Sequence, residues 1–175
     1  INEDDFLINP YLIEKKITKK TKAIIPVNLY GQSANYQIIK NISKKYNIKI
    51  IEDCAQSAGA FYKNKPSGSY GDLSAFSFYP TKNLGAYGDG GMIVTKNKNL
   101  YLNCKKLRKY GMTKNYYSEI HGINSRLDEI QAAILNFQLT KLKSNINKRR
   151  KIAKIYNQNL KTINLELPIE NKNNF

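Results

Sequence analysis

Histidine occurs once in this 175-residue chain, at His121, and cysteine only twice, at Cys54 and Cys104. A single imidazole cannot build a metal cluster by itself and reads as a surface or loop side chain. Two thiols far apart in sequence, without paired spacing, suggest neither a zinc site nor a disulfide framework, which fits a reducing cytoplasm. No apolar run approaches the roughly 20 residues of a membrane-spanning helix, and no signal-peptide pattern opens the chain. Internal repeats and low-complexity linkers are missing as well. No membrane partner is expected.

Arginine is scarce: only four of the 29 basic residues are Arg and 25 are Lys, against 13 acidic residues. Read by itself, the net charge of +16 proposes nucleic acid as a partner. The better bidentate reader of phosphate and guanine is nearly absent, however. The basic clusters at 15–22, 105–109 and 141–154 are also widely separated. The excess of Lys, Asn and Ile looks like compositional drift, so no nucleic-acid partner is expected. What the chain does have is 41% hydrophobic and 24% charged residues, enough for a folded domain with a core.

Apolar β-rich runs alternate with stretches of helical period, the pattern of an α/β protein with a mostly parallel sheet. Ala23 to Val27 reads as the first buried strand, closed by a turn at Gly31. Ile38, Ile39, Ile42 and Tyr46 share one face of a helix over 34–46. Ile48, Ile50 and Ile51 form a strand running into Glu52-Asp53-Cys54, and Ala75 to Phe78 and Met92 to Val94 supply two more. Leu100, Cys104 and Leu107 mark a further helix. Ser125 and Asp128 resemble a capping box opening a long helix to about Leu142, apolar on two sides and so expected to meet more than one neighbour. Another helix is expected around Ile152 to Leu160.

In open α/β sheets, ligands bind beyond the carboxyl ends of the strands. Asp53 stands at such an end, although taken alone it reads first as a turn or cap aspartate; Gln56 adds an amide three residues on. The stretch Ser77-Phe-Tyr-Pro-Thr-Lys82-Asn-Leu-Gly-Ala-Tyr-Gly-Asp-Gly-Gly91 places a strand-end hydroxyl five residues before a lysine and a glycine-rich turn. Glycines let backbone approach a ligand closely. A lysine shielded in a crevice loses proton affinity and can form an imine with a carbonyl.

Four segments in register resemble DegT/StrS-type sugar aminotransferases: Ile25 to Gln32, Ile51 to Gln56, Ser77 to Gly91, and Gly122 to Ala133. The resemblance implies a three-layer, mostly parallel sheet flanked by helices, the large domain of fold type I. Residues 1–145 would be part of that domain, and 146–175 a connecting helix and the start of a small C-terminal α+β domain. It implies pyridoxal 5'-phosphate held covalently by Lys82, with Asp53 pairing with the ring nitrogen, Gln56 contacting the ring hydroxyl and Ser77 the phosphate. Asn124 would reach the phosphate of a neighbour across a homodimer, and Arg126 would contact the sugar-nucleotide substrate. A surface or interface ion pair explains Arg126 equally well. Asn28 stands where the family commonly has His, and Cys54 where a small residue is usual. The implied reaction is transamination of a nucleoside-diphosphate keto sugar with an amino-acid donor, glutamate, and the Pro80-to-Gly85 wording favours 3-keto substrates. The family's N-terminal phosphate cradle and most of its small domain are not in the chain, which reads as the middle of an enzyme, inactive alone. A fold-retaining regulator without catalysis is the other reading.

Overall fold

The computed structural model describes residues 1–114, 116–171 and 174. Its centre is a four-stranded sheet in the order β1 (Ala23–Ile24), β2 (Lys49–Asp53), β5 (Leu73–Ser77), β6 (Gly91–Val94). The first three strands are parallel, and β6 runs antiparallel to β5. Two short hairpins complete the strand count among the described residues: β3 (Phe61–Tyr62) with β4 (Lys65–Pro66), and β7 (Met112–Lys114) with β8 (Tyr117–Ser118). This is the largely parallel α/β architecture that the alternating pattern implies, with β6 added antiparallel at one edge.

Helix α1 (Tyr36–Tyr46) joins β1 to β2. Its Asn35 cap accepts from the Ile38 amide, and the chain leaves it through Asn47 in a left-handed conformation. Tyr36, Ile39 and Ile42 pack with Ile24, Ile48 and Ile50 in the main core. Since strand residues alternate between faces, that packing assigns Ile48, Ile50 and Glu52 to the α1 side and leaves Ile51 and Asp53 on the other. A second, smaller core of Phe78, Ala86 and Leu135 joins the loop after β5 to a long helix.

Three sequence expectations are revised. The first strand stops at Ile24, because Pro26 has no amide to donate; beyond it Val27 only bridges to Asp53. The Ser125 capping box does not form. Helix α3 starts at Glu129, behind Asp128, whose side chain makes no capping bond, and runs unbroken to Asn159. The two helices read from the sequence are therefore one, and positions 145 and 146 lie inside it. Helix α2 (Lys98–Leu107) is capped by Asn97, which accepts from the amides of Asn99 and Leu100. No helix of the described residues is long and apolar enough to cross a membrane.

Candidate active site

A cavity of about 220 Å³ lies at the carboxyl ends of β2 and β5, lined by Ile25, Ile51, Asp53, Ala75, Phe76 and Ser77 among others. Parallel neighbours make this geometry: strands pointing the same way end at the same edge, so Asp53 and Ser77 come to one crevice. The peptide of Asp53 is held on both sides. Its N–H donates to the Pro26 carbonyl (3.0 Å), its own carbonyl accepts from the Asn28 amide (2.9 Å), and the next amide, Cys54, donates to Ala75 (2.8 Å). Asp53 Oδ1 accepts from the Ala55 amide at 3.0 Å, closing a tight Asx turn. Among the described residues Oδ2 has no hydrogen-bond partner.

Ser77 Oγ accepts from the Tyr79 amide (3.3 Å), and its proton has no acceptor among the described residues. Lys82 follows in the loop, half-buried, its amide donating to the Tyr79 carbonyl (2.9 Å). Its ammonium makes no ion pair or hydrogen bond among the described residues. The loop is pinned at both ends: Phe78 donates to the Gly90 carbonyl (2.8 Å) and Ala86 to that of Phe78 (2.8 Å). A Cβ on Gly85 would stand 2.5 Å from the Pro80 carbonyl oxygen, so only glycine permits this fold of the loop. Gln131 of α3 accepts from the Tyr87 amide at 2.8 Å and anchors the far side.

Gln56 sits in the turn after β2, with Oε1 accepting from the Tyr30 amide at 3.1 Å. The structure thus brings Asp53 and Ser77 around one cavity and puts Gln56 and Lys82 in the loops that follow the same two strands. Asn124 and Arg126 do not line that cavity. They are exposed and bonded to each other, Arg126 Nε donating to Asn124 Oδ1 at 3.1 Å.

Sequence reasoning missed the polar bundle behind the site. Asn28, fully buried, accepts from the Ala34 amide (3.0 Å) and the Tyr36 hydroxyl (2.9 Å), and donates to Ser67 (3.0 Å). Cys54 is buried beside it, and burial pushes its thiol up, with the Glu52 carboxylate adding to the shift. No local signal marks these partners, since they come from four separate segments. Among the described residues there is no group of His, Cys, Asp and Glu fit to hold a metal.

The donor set fits pyridoxal phosphate. An open carboxylate oxygen suits a protonated ring nitrogen, a hydroxyl whose proton has no acceptor among the described residues suits a phosphate, and an amine with no partner among them suits an aldehyde. The comparisons agree. The chain is 52% identical over 161 residues to the dTDP-3-amino-3,6-dideoxy-alpha-D-galactopyranose transaminase of Aneurinibacillus thermoaerophilus, covering 92% of this chain and 44% of that protein. It is 47% identical over 151 residues to a pleiotropic regulatory protein of Geobacillus stearothermophilus, covering 86% and 41%. The crystal structure of S. venezuelae DesV in complex with a ketimine intermediate superposes with a TM-score of 0.93 at 39% identity, covering 99% of this chain and 47% of that one. The chain thus spans less than half the length of each. Residues 1–174 match the DegT/DnrJ/EryC1/StrS aminotransferase family, whose members are pyridoxal phosphate-dependent, and the chain belongs to that family.

Proposed function

We propose that this chain is the cofactor-binding part of an aminotransferase that converts a nucleoside-diphosphate keto sugar to its amino sugar, with glutamate as donor. The observation that carries the reading is the convergence of Asp53 and Ser77 on one cavity, with Lys82 in the loop directly after Ser77. When bound, the cofactor supplies an electron sink that lets an amino group move between two carbon skeletons.

The protein's own groups do the rest. Lys82 would hold the cofactor aldehyde through Nζ, and its amine would serve as the base that takes up and returns a proton during turnover. Asp53 holds a proton on the ring nitrogen, because a carboxylate beside it favours the charged form. Gln56 contacts the ring hydroxyl and Ser77 donates to the phosphate. Asn124 completes the phosphate site of a second copy in a homodimer, and Arg126 meets the sugar nucleotide. Residues 1–145 belong to the large domain, while 146–175 lead into the small one. The transaminase from Aneurinibacillus is named for a sugar aminated at C3, which supports a 3-keto-6-deoxyhexose substrate here. With that substrate the protein would act in amino-sugar and polysaccharide biosynthesis, in the cytoplasm.

Kinetics of the complete gene product test this. Lys82→Ala abolishes transamination while the fold survives, and Asp53→Asn lowers kcat on the order of 10²-fold or more, the scale for losing one placed proton-handling group. Retained turnover in either variant contradicts the assigned roles. The likeness to a regulatory protein favours one second reading, a fold-retaining regulator; wild-type protein that turns over no keto sugar supports it.

A further inference from the structure

Strand alternation sends Glu52 to the face opposite Asp53, where it is 0% exposed. Among the described residues it has no ion pair, although a buried carboxylate is costly without compensation. It is compensated by dipoles instead. Oε1 accepts from the amides of Tyr70 (2.5 Å) and Gly71 (2.6 Å) and from the Ser74 hydroxyl (3.1 Å). Oε2 accepts from the Gly68 amide (2.9 Å) and more weakly from Asn28 Nδ2 (3.5 Å). The approach needs a glycine, because a Cβ on Gly71 would lie 3.1 Å from Glu52 Cγ and 2.6 Å from the Leu73 carbonyl oxygen.

These partners belong to the segments that hold Asp53. Asn28 donates its backbone amide to the Asp53 carbonyl, and Ser74 precedes Ala75, whose carbonyl takes the Cys54 amide. Three segments, the loop after β1, the 68–71 loop and β5, therefore converge on the buried carboxylate directly behind the residue that faces the cavity. We propose that Glu52 is a positioning residue: it locks the end of β2 against β5 and the loop after β1, and so fixes the carboxylate of Asp53 toward the cofactor ring nitrogen. The proposal rests on the reading of Asp53 given above. The titratable groups around Glu52 are the Cys54 thiol and the Tyr36 and Tyr70 phenols. Burial first of all holds each of them up, so they stay neutral through the working range.

The test uses the complete gene product and three variants, Glu52→Gln, Ser74→Ala and Asp53→Asn. Glu52→Gln turns an amide group toward backbone donors, while Ser74→Ala removes one donor and leaves the charge. Three readouts apply: amide exchange at Gly68, Tyr70 and Gly71 without cofactor, affinity for pyridoxal phosphate, and the pH midpoint of the bound cofactor's visible absorption. Glu52→Gln is expected to speed those amides at least tenfold, to weaken cofactor binding about tenfold, and to move the midpoint in the direction Asp53→Asn moves it, by less. Ser74→Ala does the same more mildly. A general loss of stability would not move the midpoint. If Asp53→Asn shifts it while Glu52→Gln leaves midpoint and affinity unchanged, the proposal is overturned and the reading of Asp53 stands. Should Glu52→Gln not fold, an unchanged midpoint in Ser74→Ala overturns the proposal. Wild-type protein that takes up no pyridoxal phosphate overturns both.

Discussion

Asn28 shows how a single residue can be conspicuous in sequence for one reason and matter in structure for another. It stands out as a departure from a family pattern, yet its work is to satisfy buried groups from positions 34, 36 and 67. Replacing it with Ala strands a hydroxyl and an amide in the interior. Asn28→Ala is expected to cost about 2–4 kcal/mol of stability, read from the urea midpoint of the complete protein; a loss under about 0.5 kcal/mol contradicts the hub role. The two thiols make a second contrast. Cys54 is buried with its thiol pushed up, while Cys104 is partly exposed. A thiol reagent at mildly alkaline pH should therefore label Cys104 first and Cys54 only on unfolding. Equal labelling rates would refute the buried placement. Asp5 carries a pH dependence. Burial raises its carboxyl, but hydrogen bonds from Asn171, Leu7 and Asn2 outweigh this and hold it below the ordinary value. The contribution of a lowered carboxyl is complete above the unfolded value near about 4 and disappears as pH falls through the folded one. Amide protection at Asn171 should fall on acidification to about pH 3 in the wild type and change less in Asp5→Asn. Identical acid profiles would contradict the contact.

At the scale of elements, the sequence located strands well and their limits less well. Asp53 and Ser77 were legible because each follows an apolar run at a strand's carboxyl end. The antiparallel direction of β6 was not, since alternation marks a strand and carries no arrow. The long helix reads as two in the sequence because its apolar period fades through the Lys- and Asn-rich stretch after Leu142. Periodicity reports burial, while continuity depends on the absence of Gly and Pro and on good helix formers, and 129–159 holds neither breaker. The glycine loop yields a prediction. Gly85→Ala would place a Cβ 2.5 Å from a carbonyl oxygen, whereas at Gly88 the nearest atom is the flexible Gln131 amide at 3.2 Å. On the proposed function, Gly85→Ala should lower kcat of the complete gene product at least tenfold, by displacing the loop that carries Lys82, and Gly88→Ala less than threefold. Equal effects would show that the loop does not set the lysine.

For the whole molecule, the cores explain one side of the sheet and leave another bare. All four residues of β6 are exposed, and Ile93 is 59% accessible. Of the 31 residues of α3 only Leu135 is buried, and Phe137 and Ile155 remain more than half exposed. The apolar breadth of that helix was legible in the sequence, but its neighbours were not, because a pattern shows that a face is apolar without naming what meets it. Faces of this kind bind apolar dyes and self-associate. The 175-residue chain by itself should do both, and the complete gene product should not.

On the proposed function, Lys82 alone among the 25 lysines bonds the cofactor. The complete gene product, incubated with pyridoxal phosphate and reduced with borohydride, can be mapped by peptide mass. A phosphopyridoxyl adduct is expected on the peptide carrying Lys82 and on no other. Adducts scattered over the surface lysines, or none at all, would contradict it.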